Sequence, residues 1–184
     1  SSYQHSLEID PKYPEAHNNL ANVLRETGDF DKAIESYKKA IEIKPDYIEA
    51  CYSLAITLQL VGNLESIKHF EKVIFLKPDF AEAHNNLGVV FKEITQIDDA
   101  VTSYKSALSI NPNYAEAHNN LGNALKDLGE LSAAVESFKK AIFLKPDFPV
   151  FHNNLGNVLK DIGKLDESLE SYQNSLKINP DYSD

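Results

Sequence analysis

Asparagine pairs recur along the chain at Asn18-Asn19, Asn85-Asn86, Asn119-Asn120 and Asn153-Asn154, and a further asparagine follows at Asn22, Asn123 and Asn157. A carboxamide carries both a hydrogen-bond donor and an acceptor. A column of them can therefore hold the repeating N–H and C=O groups of an extended peptide without reading its side chains. Asparagine is a mediocre helix former, so its accumulation at helical positions calls for a reason beyond solubility. The same residues have a structural alternative. One asparagine per unit can bridge adjacent units, and duplication copies a residue whether or not it binds.

Charged residues follow the same beat. Arg25, Gln59, Lys92, Lys126 and Lys160 share one position, and Glu26, Leu60, Glu93, Asp127 and Asp161 come next. They can meet charges on a ligand, or they form a solvated helix face with weak surface pairs. Histidines recur once per unit at His17, His84, His118 and His152. Neighbouring copies then lie at least one helical layer apart, roughly 10 Å, whereas zinc ligands all sit about 2 Å from the metal. They read as packing residues, and Cys51 at the same position reads as a small buried hydrophobe. There is no phosphate-binding glycine loop, no Cys-x-x-Cys and no nucleophile elbow. The sequence therefore predicts neither catalysis, nor a metal, nor a cofactor.

The elements that position these residues are timed by proline. Pro11, Pro45, Pro78, Pro112, Pro146 and Pro180 are spaced by 34, 33, 34, 34 and 34 residues. A fixed period of this length marks one supersecondary unit copied in series. Within each unit two apolar-periodic segments flank a break, at Gly28-Asp29, Gly62-Asn63, Gly129-Glu130 and Gly163-Lys164, and the second ends at the proline. First helices are expected at 14–27, 48–61, 81–94, 115–128 and 149–162. Second helices are expected at 30–43, 64–76, 97–110, 131–144 and 165–178. Leu20, Leu54, Leu87, Leu121 and Leu155 should be core, together with Leu24, Leu58, Phe91, Leu125 and Leu159 one turn on. The next position holds only Ala21, Ala55, Gly88, Gly122 and Gly156. Opposite it, Ala33, Ser66, Ala100, Ala134 and Ser168 precede the rings Tyr37, Phe70, Tyr104, Phe138 and Tyr172. Small residues let paired helices close in while the ring fills the space beside them.

The blocks PEAHNNLANVL, AEAHNNLGVVF, AEAHNNLGNAL and PVFHNNLGNVL, with the small residue, ring and proline that follow, resemble a tetratricopeptide-repeat array over essentially the whole chain. More narrowly, the NNLGN-type blocks and the Pro-Asp-Phe or Pro-Asn-Tyr joints look like the superhelical repeat region of O-linked N-acetylglucosamine transferases. The resemblance implies an all-α fold, a right-handed α-solenoid of helix-turn-helix units, with the first helices on its concave side. The units fall at 14–47, 48–80, 81–114, 115–148 and 149–182, and residues 1–13 read as the end of a preceding repeat. Peptide-binding candidates are Asn19, Asn22, Asn86, Asn120, Asn123, Asn154 and Asn157, then the outer Asn18, Asn85, Asn119 and Asn153, with Lys92, Lys126 and Lys160 at the groove edge. Chaperone-binding members of the family place Lys or Arg at ladder positions, so a chaperone carboxylate clamp is not expected.

The second unit breaks the pattern. It is one residue short near Leu64 to Ser66, and its ladder becomes Tyr52, Ser53 and Ile56, with Leu60 beyond. Tyr52 and Ile56 could anchor a ligand side chain, compensate the deletion by packing, or form a self-association contact. Thr95 replaces the turn glycine of the third unit, a further expected irregularity, and Phe75 and Phe143 read as packing between units. The chain starts inside a repeat, contains no methionine and stops four residues after its last proline. A segment of a longer array is expected, with ends able to stack between molecules.

Composition narrows the partners. The formal charge of -10 repels nucleic acid, and no apolar run approaches the roughly 20 residues that span a bilayer. The single cysteine suits a reducing compartment such as the cytoplasm. Three functions fit: a scaffold holding an extended protein segment, the substrate-docking arm of a larger enzyme such as a protein glycosyltransferase, or a self-assembling scaffold.

Overall fold

The computed structural model describes residues 11–180, and the expected end of a preceding repeat at 1–10 lies outside them. The described residues form ten α-helices and no strand. First helices are α1 (Pro14–Glu26), α3 (Ile48–Leu60), α5 (Ala81–Glu93), α7 (Ala115–Asp127) and α9 (Pro149–Asp161). Second helices are α2 (Phe30–Ile43), α4 (Glu65–Leu76), α6 (Ile97–Ile110), α8 (Leu131–Leu144) and α10 (Leu165–Ile178). The chain divides into two compact units, Ser1–Val90 and Phe91–Asp184, the division falling inside α5. Each is built of consecutive helix pairs: α1 packs on α2, α2 on α3 and α3 on α4 in one, and α6 through α10 pack in the same succession in the other.

Local chemistry sets the helix ends. The residue before each proline is forced out of the helical region: Lys44, Lys77, Asn111 and Lys145 have φ between −125° and −141° and ψ between 82° and 91°. Between paired helices the chain reverses through a left-handed residue. At Gly28 (φ +81°) the Gly28 amide donates to the Arg25 carbonyl and the Asp29 amide to the Leu24 carbonyl, at 3.0 and 2.9 Å. This double bond pattern caps the carbonyls of the last turn. Thr95 was expected to be irregular, yet it makes the same turn: at φ +61° its amide reaches Lys92 O at 3.0 Å, and Gln96 reaches Phe91 O at 2.9 Å. The geometry is kept at the expense of a β-branched residue in left-handed backbone.

The shortened unit differs at its turn. Asn63 Oδ1 accepts from the Glu65 amide at 2.9 Å, and α4 has 12 residues where the other second helices have 14. In the core Leu54, Leu87, Leu121 and Leu155 are buried, as are Leu58, Leu125 and Leu159, while Leu20, Leu24 and Phe91 are half-buried. Tyr37, Phe70, Tyr104 and Phe138 are wholly enclosed. Phe75 and Phe143 are not packing residues: they are 84% and 77% exposed at the ends of α4 and α8.

Candidate functional site

The asparagines divide by what each one touches. Asn18, Asn85 and Asn119, expected as outer peptide contacts, are instead buried and closed to a ligand. Asn153 is half-buried. Inner asparagines reach back to that position one unit earlier. Asn154 Nδ2 donates to Asn119 Oδ1 at 2.8 Å. In the first compact unit Asn86 Nδ2 donates to Tyr52 Oη at 2.9 Å. Ser53, in register with these two, is too short for the same reach, and buried Asn18 has no partner for Oδ1 or Nδ2 among the described residues. Asn19 and Asn120 are half-buried on the same face.

The third asparagine of each set answers to the ring of the second helix. Tyr37 Oη donates to Asn22 Oδ1 at 2.6 Å, and Tyr172 Oη to Asn157 Oδ1 at 2.8 Å. Burial pushes the Tyr37 phenol above its ordinary range, which keeps it protonated as the donor. Asn123 stands opposite Phe138, which has no hydroxyl. Its half-buried carboxamide makes no side-chain hydrogen bond among the described residues.

Tyr52 is held by packing. Its ring lies 4.7 Å from that of Phe80 and 6.0 Å edge-on from that of Phe70, and burial raises its phenol pKa. Ile56 is half-buried, and Leu60 is 64% exposed one turn further. Of the lysines, Lys92 pairs with Asp127 at 3.0 Å and Lys126 with Asp161 at 3.6 Å, while Lys160 is exposed. Both pairs are partly exposed, so each contributes about 0–1 kcal/mol.

The histidines do more than fill space. His17, His84, His118 and His152 place Nε2 at 3.0, 3.0, 3.0 and 2.8 Å from the carbonyls of Pro11, Pro78, Pro112 and Pro146. A carbonyl only accepts, so Nε2 carries the proton. Each histidine thus ties its helix to the proline joint that precedes it. The signal was in the sequence as a histidine six positions after a proline, four times over. Cys51 takes this position in the 48–80 segment; it is fully buried, and burial pushes its thiol pKa up, away from the reactive thiolate. The joints carry a second recurring contact, with Lys44, Lys77 and Lys145 over the rings of Tyr47, Phe80 and Phe148 at 4.9, 4.9 and 5.3 Å. Among the described residues no helix is long and apolar enough to cross a membrane.

Known proteins place this arrangement. A model described as tetratricopeptide repeat matches residues 14–47 and 149–182, and one described as TPR repeat matches 96–129 and 122–163. Among solved structures, a MamA protein is 27% identical with a TM-score of 0.83, over 91% of this chain and 92% of that one. YrrB, described as a TPR protein with an unusual peptide-binding site, is 22% identical with a TM-score of 0.80, over 99% and 94% of the two chains. PilF of Pseudomonas aeruginosa is 20% identical with a TM-score of 0.80, over 90% and 76%. No curated protein matches the sequence.

Proposed function

This chain belongs to the tetratricopeptide-repeat family of non-catalytic interaction modules, and on that premise we propose that it is a scaffold holding an extended protein segment along the face of its first helices. The observation that carries this reading is Asn123. Asn22 and Asn157 spend their carboxamide oxygens on tyrosine hydroxyls, whereas Phe138 leaves Asn123 with donor and acceptor both available. A carboxamide with both groups available on a helix face, half-buried like the flanking Asn120 and Lys126, suits the backbone of an extended chain. The ladder is thus narrower than its residue count suggests. Inner asparagines such as Asn154 serve the stack, and ligand contact concentrates where an amide is left over. A cytoplasmic setting accords with the single buried thiol.

The test uses a bead-bound library of random extended peptides and three forms of the chain. Phe138→Tyr supplies the hydroxyl that the sibling repeats have and should capture Asn123 without removing it; Asn123→Ala removes it. Each should lower peptide retention about fivefold, the value of one net hydrogen bond, with melting temperature held or raised. Equal retention by all three forms would remove Asn123 from the binding surface and leave the scaffold without its groove contact.

A further inference from the structure

The cation-carboxylate rungs of the first-helix face are complete in the second compact unit and broken in the first. Lys92 to Asp127 and Lys126 to Asp161 span the same 35 positions, at 3.0 and 3.6 Å. The same step from Arg25 arrives at Leu60, whose side chain is 64% exposed. The carboxylate that would neutralise the guanidinium is replaced by an aliphatic surface. Among the described residues, the ion pairs of the first unit use Lys32, Lys38, Lys39 and Lys44, and none uses Arg25. Arg25 is half-buried, close enough for its charge to act on the Tyr37 hydroxyl that donates to Asn22. Beside Leu60, one turn earlier, lies half-buried Ile56.

We infer that this face of the first unit binds an extended segment carrying an internal acidic side chain followed, two residues later, by an aliphatic one. The inference rests on the scaffold reading above. A guanidinium with no counterion is a ready partner for a carboxylate, in bidentate geometry. Alternate residues of an extended chain point the same way and lie about 7 Å apart, close to the roughly 8–10 Å between neighbouring helix axes. An acid on Arg25 therefore places the second following residue over Leu60 and Ile56. In the second unit the same position is filled by Asp127 and Asp161, which neutralise the lysines and repel an acidic ligand.

The experiment measures fluorescence anisotropy of two labelled peptides, acetylated and amidated so that only side chains carry charge. They share a Gly/Ser carrier and differ at two residues, Glu-Ser-Leu against Gln-Ser-Ser. The intact chain should bind the Glu-Ser-Leu peptide about tenfold more tightly, as expected of a charge-assisted hydrogen bond. Leu60→Asp supplies the missing carboxylate in place and should erase the preference. Arg25→Gln should remove the part of the preference that Glu contributes, and Leu60→Ser the part that the leucine contributes, each leaving a weaker preference. Both positions are exposed or half-buried, and helical circular dichroism confirms folding. Equal binding of the peptides, binding of neither, or a preference undiminished by Leu60→Asp and by Arg25→Gln would overturn the inference. Phe138→Tyr should leave the preference untouched, so failure here and failure of the Asn123 contact are separately visible.

Discussion

Gly122 sits where the ring of Phe138 closes against the paired helix, and replacing it with alanine sets two known effects against each other. A Cβ on Gly122 would lie 2.7, 2.8 and 2.9 Å from three atoms of the Phe138 ring. Ordinary carbon contacts begin near 3.5 Å, so the ring edge has to retreat by most of an ångström. Phe138 has no exposed surface and therefore no open direction in which to move. Overpacking of this kind costs about 1–3 kcal/mol, while exchanging Gly for Ala in a helix returns about 1 kcal/mol. Gly122→Ala should therefore destabilise the chain by about 1 kcal/mol, read from urea unfolding followed by helical circular dichroism. The decisive measurement repeats the substitution in a Phe138→Leu background, where the ring edge is gone. There it should become stabilising by about 1 kcal/mol, giving a coupling of about 2 kcal/mol. Gly122→Ala that stabilises equally in both backgrounds would refute the claim that glycine stands here for the sake of the ring. Sibling repeats supply the reciprocal case. Ala21 and Ala55 are wholly buried in the same register as Tyr37 and Phe70, and Ala55→Gly should lose about 2 kcal/mol, from helix propensity and one buried methyl group.

Thr95→Gly should raise stability by about 0.5–1 kcal/mol, since left-handed backbone costs an L-residue about 1–2 kcal/mol and glycine returns part of that as chain entropy; an unchanged urea midpoint would show the turn to be unstrained. Asn154→Ala should lower stability by about 1–2 kcal/mol by orphaning the buried Asn119 oxygen, and Ser53→Asn should gain about 1 kcal/mol by giving Asn18 its missing partner; a stable Asn154→Ala would mean that the carboxamide bridges nothing of value. Burial holds the pKa values of His69 and His118 below the ordinary 6.5. The unfolded chain then binds more protons between the folded and unfolded values, so stability should be full above 6.5 and fall as pH drops through it; His69→Gln and His118→Gln should flatten that slope, and unfolding free energies across this window check it.

Much of this was legible because proline and glycine act locally. The second helices begin and end where the punctuation says, except that α4 starts at Glu65, one residue later than expected, and the first helices each end one residue early because the last residue before the turn is a cap. Thr95 misled because backbone geometry was inferred from residue type, whereas the turn is imposed by the two helices it joins. The asparagines misled for a different reason. Their exposure depends on a residue about 15 or 35 positions away: Tyr37 for Asn22, Phe138 for Asn123, Asn154 for Asn119. Helical periodicity gives the face of a residue and says nothing of who waits opposite. Phe75 and Phe143 lie at second-helix ends, where apolar type suggests burial, yet both stay exposed, Phe143 with Lys140 Nζ 5.2 Å over its ring.

The joint between the 14–47 and 48–80 segments lacks three directional links on its first-helix side. Cys51 cannot make the histidine bond to the joint carbonyl, Ser53 cannot reach Asn18, and Leu60 cannot neutralise Arg25. Apolar contact carries more of the joint there, while Lys38 and Glu65 tie the second helices across it at 3.4 Å. Hydrogen bonds and ion pairs specify a distance and an angle, whereas apolar surfaces tolerate sliding. Where its neighbours are pinned, this joint is lubricated, and a segment bound as proposed above would meet a bend able to adjust to it.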